Sequence, residues 1–184
     1  MLSKCLFIVI EGIDGTGKTS VCKGLSEKIG AVNYKTPSGR WQKYRSVVED
    51  RHPFIRFIYY LLSTVCSSLE ISKLLRRNSV VCDRYIHSTW CHHIVYGCRF
   101  LKSIPVSRLP VKKPDLIYYL TVTSSEREKR INMRKGNNLK DKDSESLLKV
   151  HKYFSRIKDM RRVDTTHRDV TEVVDLIFRD AASF

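Results

Sequence analysis

The run Gly12-Ile13-Asp14-Gly15-Thr16-Gly17-Lys18-Thr19 satisfies the spacing G-x-x-x-x-G-K-[ST]. Glycines at those positions let a backbone turn tightly and aim successive N–H groups at phosphate oxygens. A helix beginning at the second half of the run adds partial positive charge at its N-terminus. Gly12, Asp14, Gly15, Thr16 and Gly17 are therefore candidate ATP-binding residues, with Lys18, Thr19 and Ser20 following them at the helix start. In that arrangement the Lys18 ammonium bridges the β- and γ-phosphates and the Thr19 hydroxyl helps hold Mg²⁺.

Two further groups complete a phosphoryl-transfer chemistry. Asp83 ends an apolar run, Val80-Val81-Cys82, and a carboxylate at a strand end can share with Thr19 the same Mg²⁺. Arg84 beside it offers a planar fork suited to a second, acceptor phosphate. Arg127, Arg130 and Arg134 form a basic cluster, of which Arg130 and Arg134 are spaced i, i+4 and share a helix face leading into the polar stretch 135–144. Cations carried on a closing lid neutralise the charge that builds up on a transferring phosphoryl group. The predicted catalytic set is Lys18, Asp83, Arg84, Arg130 and Arg134, and a solvated basic helix with Glu126 and Glu128 as partners is the plain alternative for the last two.

The elements that must position these residues follow from the hydrophobic pattern. Leu6 to Ile10 is continuous, apolar and rich in β-branching, the pattern of a strand buried on both faces. Lys18 to Lys28 reads as a helix stopped by Gly30, and Ala31 to Tyr34 as a short strand. A weak helix to about Asp50 and a long one from Phe54 precede the strand Val80 to Cys82. A helix over Ser88–Tyr96, a loop over Cys98–Pro114, a strand over Leu116–Val122 and a helix over Ser124–Arg134 come next. One more helix, a short strand near Arg162–Asp164 and a last helix from Val170 to Arg179 close the chain. Strands and helices in strict alternation predict an α/β fold: a doubly wound parallel sheet of about five strands with helices on both faces. The expected organisation is one domain over 1–184.

Bulk properties set the limits. At 184 residues, 42% hydrophobic and 29% charged, the chain has the apolar content for one core and lacks the bias of disorder or collagen. Lys and Arg outnumber Asp and Glu by 34 to 19, a net +15 that attracts anionic partners, phosphorylated small molecules and nucleic acid among them. Six cysteines without a C-x-x-C pair read as reduced core thiols, and Cys91-His92-His93 with Cys98 reads as structural, since adjacent histidines on a helix face apart. Tyr118 and Tyr119 belong to a buried strand and read as core. The apolar run near the N-terminus is too short for a signal-peptide core, and no stretch approaches eighteen consecutive apolar residues; no membrane partner is expected. The expected location is cytoplasmic, or organellar if a transit peptide is missing from this sequence.

These residues together resemble the thymidylate kinase family: Glu11 through Thr19, then Asp83-Arg84-Tyr85 with Ser88, then Lys113-Pro114-Asp115-Leu116, then Arg130 and Arg134. The string Asp83-Arg84-Tyr85-x-His87-Ser88-Thr89 is closest to the branch containing the mitochondrial UMP-CMP kinase. The resemblance implies a P-loop kinase core with an acceptor-binding helical region over about 36–77 and a short lid over about 134–145, and transfer of the ATP γ-phosphoryl group to a nucleoside monophosphate, dTMP or another pyrimidine monophosphate. It implies Asp14 at the acceptor sugar, Arg84 at the acceptor phosphate and Tyr59 stacked on the acceptor base, with Arg56 as a further acceptor-binding candidate; His87, two residues beyond Tyr85, is another by its position, its ring able to donate to a phosphate or base, with a supporting place behind the site as the alternative. It also implies a homodimer through the long central helices. Three positions depart from the family pattern. Lys35-Thr36-Pro37-Ser38-Gly39 replaces Arg-Glu-Pro, Ser63 stands four residues after Tyr59 where an arginine is usual, and Gly15 stands where one subtype carries a catalytic arginine. The family pattern then implies cationic help from Arg130, Arg134 or Lys135, and Arg40, Lys43, Arg45 or Arg56 at the acceptor phosphate. The alternatives to a monophosphate kinase are a nucleoside kinase and a P-loop nucleotide-binding protein with a degenerate acceptor site and nucleic-acid affinity; a nucleic-acid partner stays open but is not favoured.

Overall fold

A computed structural model describes residues 4–135 and 144–184, so the segment expected to form the lid lies largely outside the described residues. Its centre is β1 (Phe7–Gly12), buried along its whole length. Alternation of side chains along this strand supplies both faces of the core at once. Ile8 and Ile10 pack with Val21 and Leu25 of α1 (Lys18–Ile29) and Val173 and Ile177 of α8 (Val170–Ala182). Phe7 and Val9 face the opposite way, toward Ile71 of α4 (Pro53–Leu74), Cys91 of α5 (Ile86–Val95) and Val150 and Phe154 of α7 (Ser144–Phe154).

The other strands are β2 (Val32–Lys35), β3 (Val80–Asp83), β4 (Leu116–Thr121) and β5 (Arg161–Asp164), in the order β2-β3-β1-β4-β5 with every pair parallel. Register is what matters for the site: Ile10 lies opposite Asp83, and Gly12 opposite Leu120. The carboxyl ends of β1 and β3 therefore stand side by side, the place where open α/β sheets bind ligands. The six cysteines are free thiols.

Several boundaries differ from the sequence expectation for identifiable reasons. The weak helix before Asp50 is two short ones, α2 (Gly39–Lys43) and α3 (Arg45–Glu49), separated at Tyr44, which adopts φ −92° and ψ 0°. β-branched Val47 and Val48 and aromatic Trp41 give such a segment little helical drive. The loop over 98–114 contains two 3₁₀ turns, Arg99–Ser103 and Val106–Arg108, on either side of Pro105. α4 starts on Pro53, whose missing N–H costs nothing at a first turn, and the His52 ring accepts the Phe54 N–H at 3.3 Å. By length and apolar composition α4 is long enough to cross a membrane. It instead buries Phe57, Ser63, Thr64, Ser67, Ser68 and Ile71 within the fold, while Ile55, Leu62 and Leu69 stay exposed. The twelve residues of α6 (Ser124–Lys135) carry the basic cluster.

Two histidines sit inside the α4–α5 side of the core. Burial pushes both His87 and His93 down to about 4. Each is neutral in the fold and takes up a proton on unfolding below its usual pKa of roughly 6.5. Their contribution to stability is complete above that pH and is lost as pH falls from 6.5 toward 4. His93 is wedged between the rings of Phe57 and Tyr60, and its Nδ1 lies 2.7 Å from the Thr89 carbonyl oxygen. Replacing it, as His93→Leu, should flatten the fall in Tm across that window by removing a slope of about 1.4 kcal/mol per pH unit. Thermal melts of both proteins from pH 7 to 4 check this, and parallel slopes would contradict it.

Candidate active site

β1 runs directly into the glycine-rich loop, and Gly17, at φ +88°, opens α1 without any side-chain cap. That leaves the first N–H groups of α1 facing the loop, where an anion can take them. Within the loop the Thr16 hydroxyl donates to the Ile13 carbonyl at 3.0 Å, and the Lys18 ammonium donates to the same carbonyl at 2.6 Å. Lys18 is buried, and desolvation, helped by the nearby Arg84 charge, lowers its pKa to about 7. The carboxylates of Asp14, Asp83 and Glu11 offset this in part, and an anion docked against Lys18 adds to them. Gly15 is the tight point: its φ is +91°, and a Cβ there would fall 2.8 Å from Cγ of Arg127. Any side chain at this position strains the backbone and displaces that arginine.

Across the strand boundary, the Thr19 hydroxyl donates to Asp83 Oδ2 at 2.7 Å. Asp83 is buried, and its other carboxylate oxygen has no hydrogen-bond partner. Arg84 follows in a left-handed conformation, φ +68°, uncommon for an arginine. Its backbone N–H donates to the Ile10 carbonyl at 3.0 Å, and its own carbonyl accepts the Thr36 hydroxyl at 2.8 Å. The guanidinium ion-pairs with Asp14 and reaches the Gly12 carbonyl and the Ser88 hydroxyl, each at 3.3 Å. Strain at one backbone position, held by contacts on every side, is a signature of sites that need a fixed geometry.

These groups share a cavity of about 530 Å³, within the size range of small-molecule sites. The P-loop and Asp83–Tyr85 form one wall; Arg45, Arg56, Tyr60, Ser63 and Thr64 form another; Ser88, Thr89, His92 and Tyr96 of the α5 region close it, with Arg127 over the loop. The Arg56 guanidinium lies 5.4 Å from the Tyr96 ring centroid and keeps a buried Nε without a partner. The Ser63 hydroxyl is turned onto the Tyr60 carbonyl at 2.9 Å. Of the four expected substitutes at the acceptor phosphate, Arg45 and Arg56 line the cavity and Lys43 does not; the Arg40 side chain lies outside the described ones.

Four expected site residues stand elsewhere. Tyr59 does not line the cavity: its hydroxyl bonds the Trp41 carbonyl and its ring packs edge-on against Trp41 at 5.3 Å. Tyr60, about 100° further round the helix, takes the place at the wall. His87, in the first turn of α5, is buried and borders a separate, smaller cavity beside Ile117 and Ile157. Arg130 is held away by Glu126 at 3.0 Å and by the hydroxyl and carbonyl of Thr165, at 3.1 and 2.7 Å. Among the described side chains of the cluster, Arg127 is the one at the site, donating from Nε to the Asp14 carbonyl at 3.0 Å. Ser20 sits on the first turn of α1 outside the cavity lining, and the Arg134 side chain lies outside the described ones. Gly12 and Thr16 support the loop from beneath.

Glu11 is the residue that sequence reasoning passed over. It is fully buried, and its carboxylate accepts the backbone N–H of Tyr85 at 2.9 Å, that of Ser88 at 3.1 Å and the Ser88 hydroxyl at 2.5 Å. Burial raises its pKa to about 7 against the pull of these hydrogen bonds and of Arg84. The available signal was an acid continuing an apolar strand into the loop. Among the described residues no group of three or more His, Cys, Asp or Glu is placed to hold a metal. The oxygen pair of Thr19 and Asp83 is a different kind of site, suited to an ion that takes its remaining ligands from phosphate and water.

The thymidylate kinase family model matches residues 10–177. A probable thymidylate kinase of Methanocaldococcus jannaschii is 31% identical over 179 residues, covering 91% of this chain and 91% of that protein. The mitochondrial UMP-CMP kinase 2 of Homo sapiens is 31% identical over 161 residues, covering 83% of this chain and 35% of that protein. Among solved structures, a thymidylate kinase from Candida albicans superposes with a TM-score of 0.81 at 20% identity, covering 98% of this chain and 92% of that one, a likeness of fold.

The two arginines of α6 should separate in their effects. Arg127→Ala removes the cation at the loop and should lower kcat by about 100-fold, the size of losing one donor to a developing charge. Arg130→Ala should stay within about tenfold, because its contacts are to Glu126 and Thr165. Steady-state kinetics on both variants decide it; the reverse ranking would contradict the assignment.

Proposed function

The chain belongs to the thymidylate kinase family, and from that premise we propose that its acceptor is a pyrimidine nucleoside monophosphate, dTMP first, bound between Arg84 and Tyr60. It is an ATP-dependent nucleoside monophosphate kinase. The observation that carries the residue assignments is the convergence of the P-loop and the Asp83-Arg84 corner on one cavity. The loop wall of that cavity offers N–H groups and Lys18 to a triphosphate, while Arg84 beside it and Arg45 and Arg56 on the facing wall are available to a monophosphate.

In this reading an oxygen of the acceptor phosphate attacks the γ-phosphorus in line. The bond to the β–γ bridging oxygen breaks, and ADP leaves with the electron pair. Two anions must meet for this to happen, so most of the protein's task is positioning and charge neutralisation. Arg84 gives up its pair with Asp14 to hold the acceptor phosphate, and Asp14 is thereby freed for the sugar hydroxyl. The Lys18 ammonium turns from the Ile13 carbonyl to the β- and γ-oxygens, whose charge favours its protonated form, and Arg127 faces the γ-phosphoryl group as it transfers. Tyr60 stacks on the base, with the hydroxyls of Thr64 and Thr89, 3.4 Å apart, at the same wall.

Mg²⁺ fits the same corner. The partnerless, buried oxygen of Asp83 beside the Thr19 hydroxyl is a hard-oxygen donor set of the kind this ion takes together with phosphate ligands. When bound, the ion neutralises charge on the β- and γ-phosphate oxygens. A homodimer through α4 belongs to the same reading: Ile55, Leu62 and Leu69 recur every seventh residue and are exposed, a stripe suited to a second helix.

A coupled ADP-release screen of ATP and Mg²⁺ against dTMP, dUMP, UMP, CMP, dCMP, AMP, GMP and the free nucleosides tests the proposal. Pyrimidine monophosphates should stimulate release, free nucleosides should not, and Lys18→Ala should lower the stimulated rate by about 1,000-fold or more while the protein remains folded. Stimulation by nucleosides alone, or near-wild-type turnover in Lys18→Ala, would contradict it.

A further inference from the structure

We propose that Glu11 is a positioning residue for the acceptor phosphate, holding the Arg84 guanidinium in place through the Ser88 hydroxyl. The inference rests on the reading of Arg84 as the acceptor-phosphate arginine. It begins from a misfit. Along β1 the residues Phe7 and Val9 face the α4–α5 side of the core, and the two-residue period carries Glu11 onto that face. A carboxylate in such a place costs several kcal/mol unless donors surround it. A simple packing role would be met by an apolar side chain.

The donors are all on one segment, the corner after β3. Oε1 accepts the N–H of Tyr85 and that of Ser88, and Oε2 accepts the Ser88 hydroxyl. The two N–H groups belong to the opening of α5, where helix N–H groups are free and an anion is favoured. The bond to Tyr85 N fixes the peptide directly after Arg84, the residue held at φ +68°.

The hydroxyl is the link to the guanidinium. Ser88 has one hydrogen to donate and gives it to Glu11, at 2.5 Å. Its lone pairs are thereby turned toward Arg84 Nη1, 3.3 Å away. The same Nη1 reaches the carbonyl of Gly12, the residue after Glu11 in the chain. One edge of the guanidinium is thus pinned, and its Nη2, which pairs with Asp14, is the edge free to turn to a phosphate. The His87 ring also comes close, its Nδ1 3.9 Å from Glu11 Oε1. Burial keeps that ring neutral, so the cations facing Glu11 are Arg84 and, across the loop, Lys18.

Glu11→Gln preserves shape and keeps an oxygen for the two backbone N–H groups. It presents an amide N–H to Ser88, so the hydroxyl hydrogen loses its acceptor and no longer orients the lone pairs toward Arg84. Calorimetric titration of wild type and variant with dTMP and, separately, with ATP reads the effect. The Kd for dTMP should rise about tenfold or more, the loss of one charge-assisted contact, while the Kd for ATP stays within about twofold. In an Arg84→Ala background the same Glu11→Gln change should have no further effect on dTMP binding, since its route is gone. Equal weakening of both ligands, or an effect that simply adds to that of Arg84→Ala, would overturn the proposal. Should Glu11→Gln fail to fold, Ser88→Ala carries the test: a smaller rise in the dTMP Kd that vanishes with Arg84→Ala is expected, and unchanged dTMP binding overturns it. Failure of the underlying kinase reading would show separately, as wild-type protein without monophosphate-stimulated ADP release.

Discussion

The parallel pairing of β1 with β3 is the constraint from which the rest follows. With Ile10 opposite Asp83, the strand that launches the glycine-rich loop ends beside the strand that delivers Asp83 and Arg84. Both strands are buried, so their register is fixed by packing on two faces rather than by the loops they carry. A one-residue slip would exchange Phe7 and Val9 with Ile8 and Ile10 across the sheet and move Glu11 out of reach of α5. The site is rigid because the sheet beneath it has no alternative way to bury its side chains.

On that frame, charge is stored where it is expensive. Glu11, Lys18 and Asp83 are all nearly excluded from water, and Arg84 is only partly exposed. Burial moves Glu11 and Lys18 toward the same pKa, about 7, from opposite directions. Each is held by a neighbour: Glu11 by the start of α5, Lys18 by a loop carbonyl, Asp83 by Thr19. Anionic substrates complete this set of charges, which explains why binding and alignment are parts of one event. The net +15 serves the same end by drawing phosphates inward. Nothing in the structure explains the further cations at Arg76, Arg77, Lys112 and Lys113, which lie outside this cavity.

Much of this was legible in the sequence because the motif and its flanks obey local rules. The β-branched run before Gly12 and the helical spacing after Lys18 announce a strand–loop–helix, and the alternation of elements predicts the parallel sheet. Asp83 and Arg84 were readable as the end of an apolar run. What escaped was set by rotation and by tertiary partners. Tyr59 and Tyr60 are adjacent in sequence yet point to different sides of α4, and apolar periodicity does not separate them when both faces of the helix carry apolar residues. Arg130 and Arg127 differ in whether Thr165, from the far end of the chain, captures the guanidinium. His87 is turned inward by the same first turn of α5 that Glu11 holds. Glu11 was legible as the head of the family motif but not in its role, because its partners, two backbone N–H groups and the Ser88 hydroxyl, are set by the tertiary fold.

The central claim is that the ends of β1 and β3 act as one site, with Thr19 and Asp83 sharing a metal that the nucleotide brings. Its most direct test is a Mg²⁺ titration of dTMP-dependent ADP release in wild type and Asp83→Asn at saturating dTMP. The metal concentration for half-maximal rate should rise at least about tenfold in the variant. Superimposable titration curves would contradict the claim.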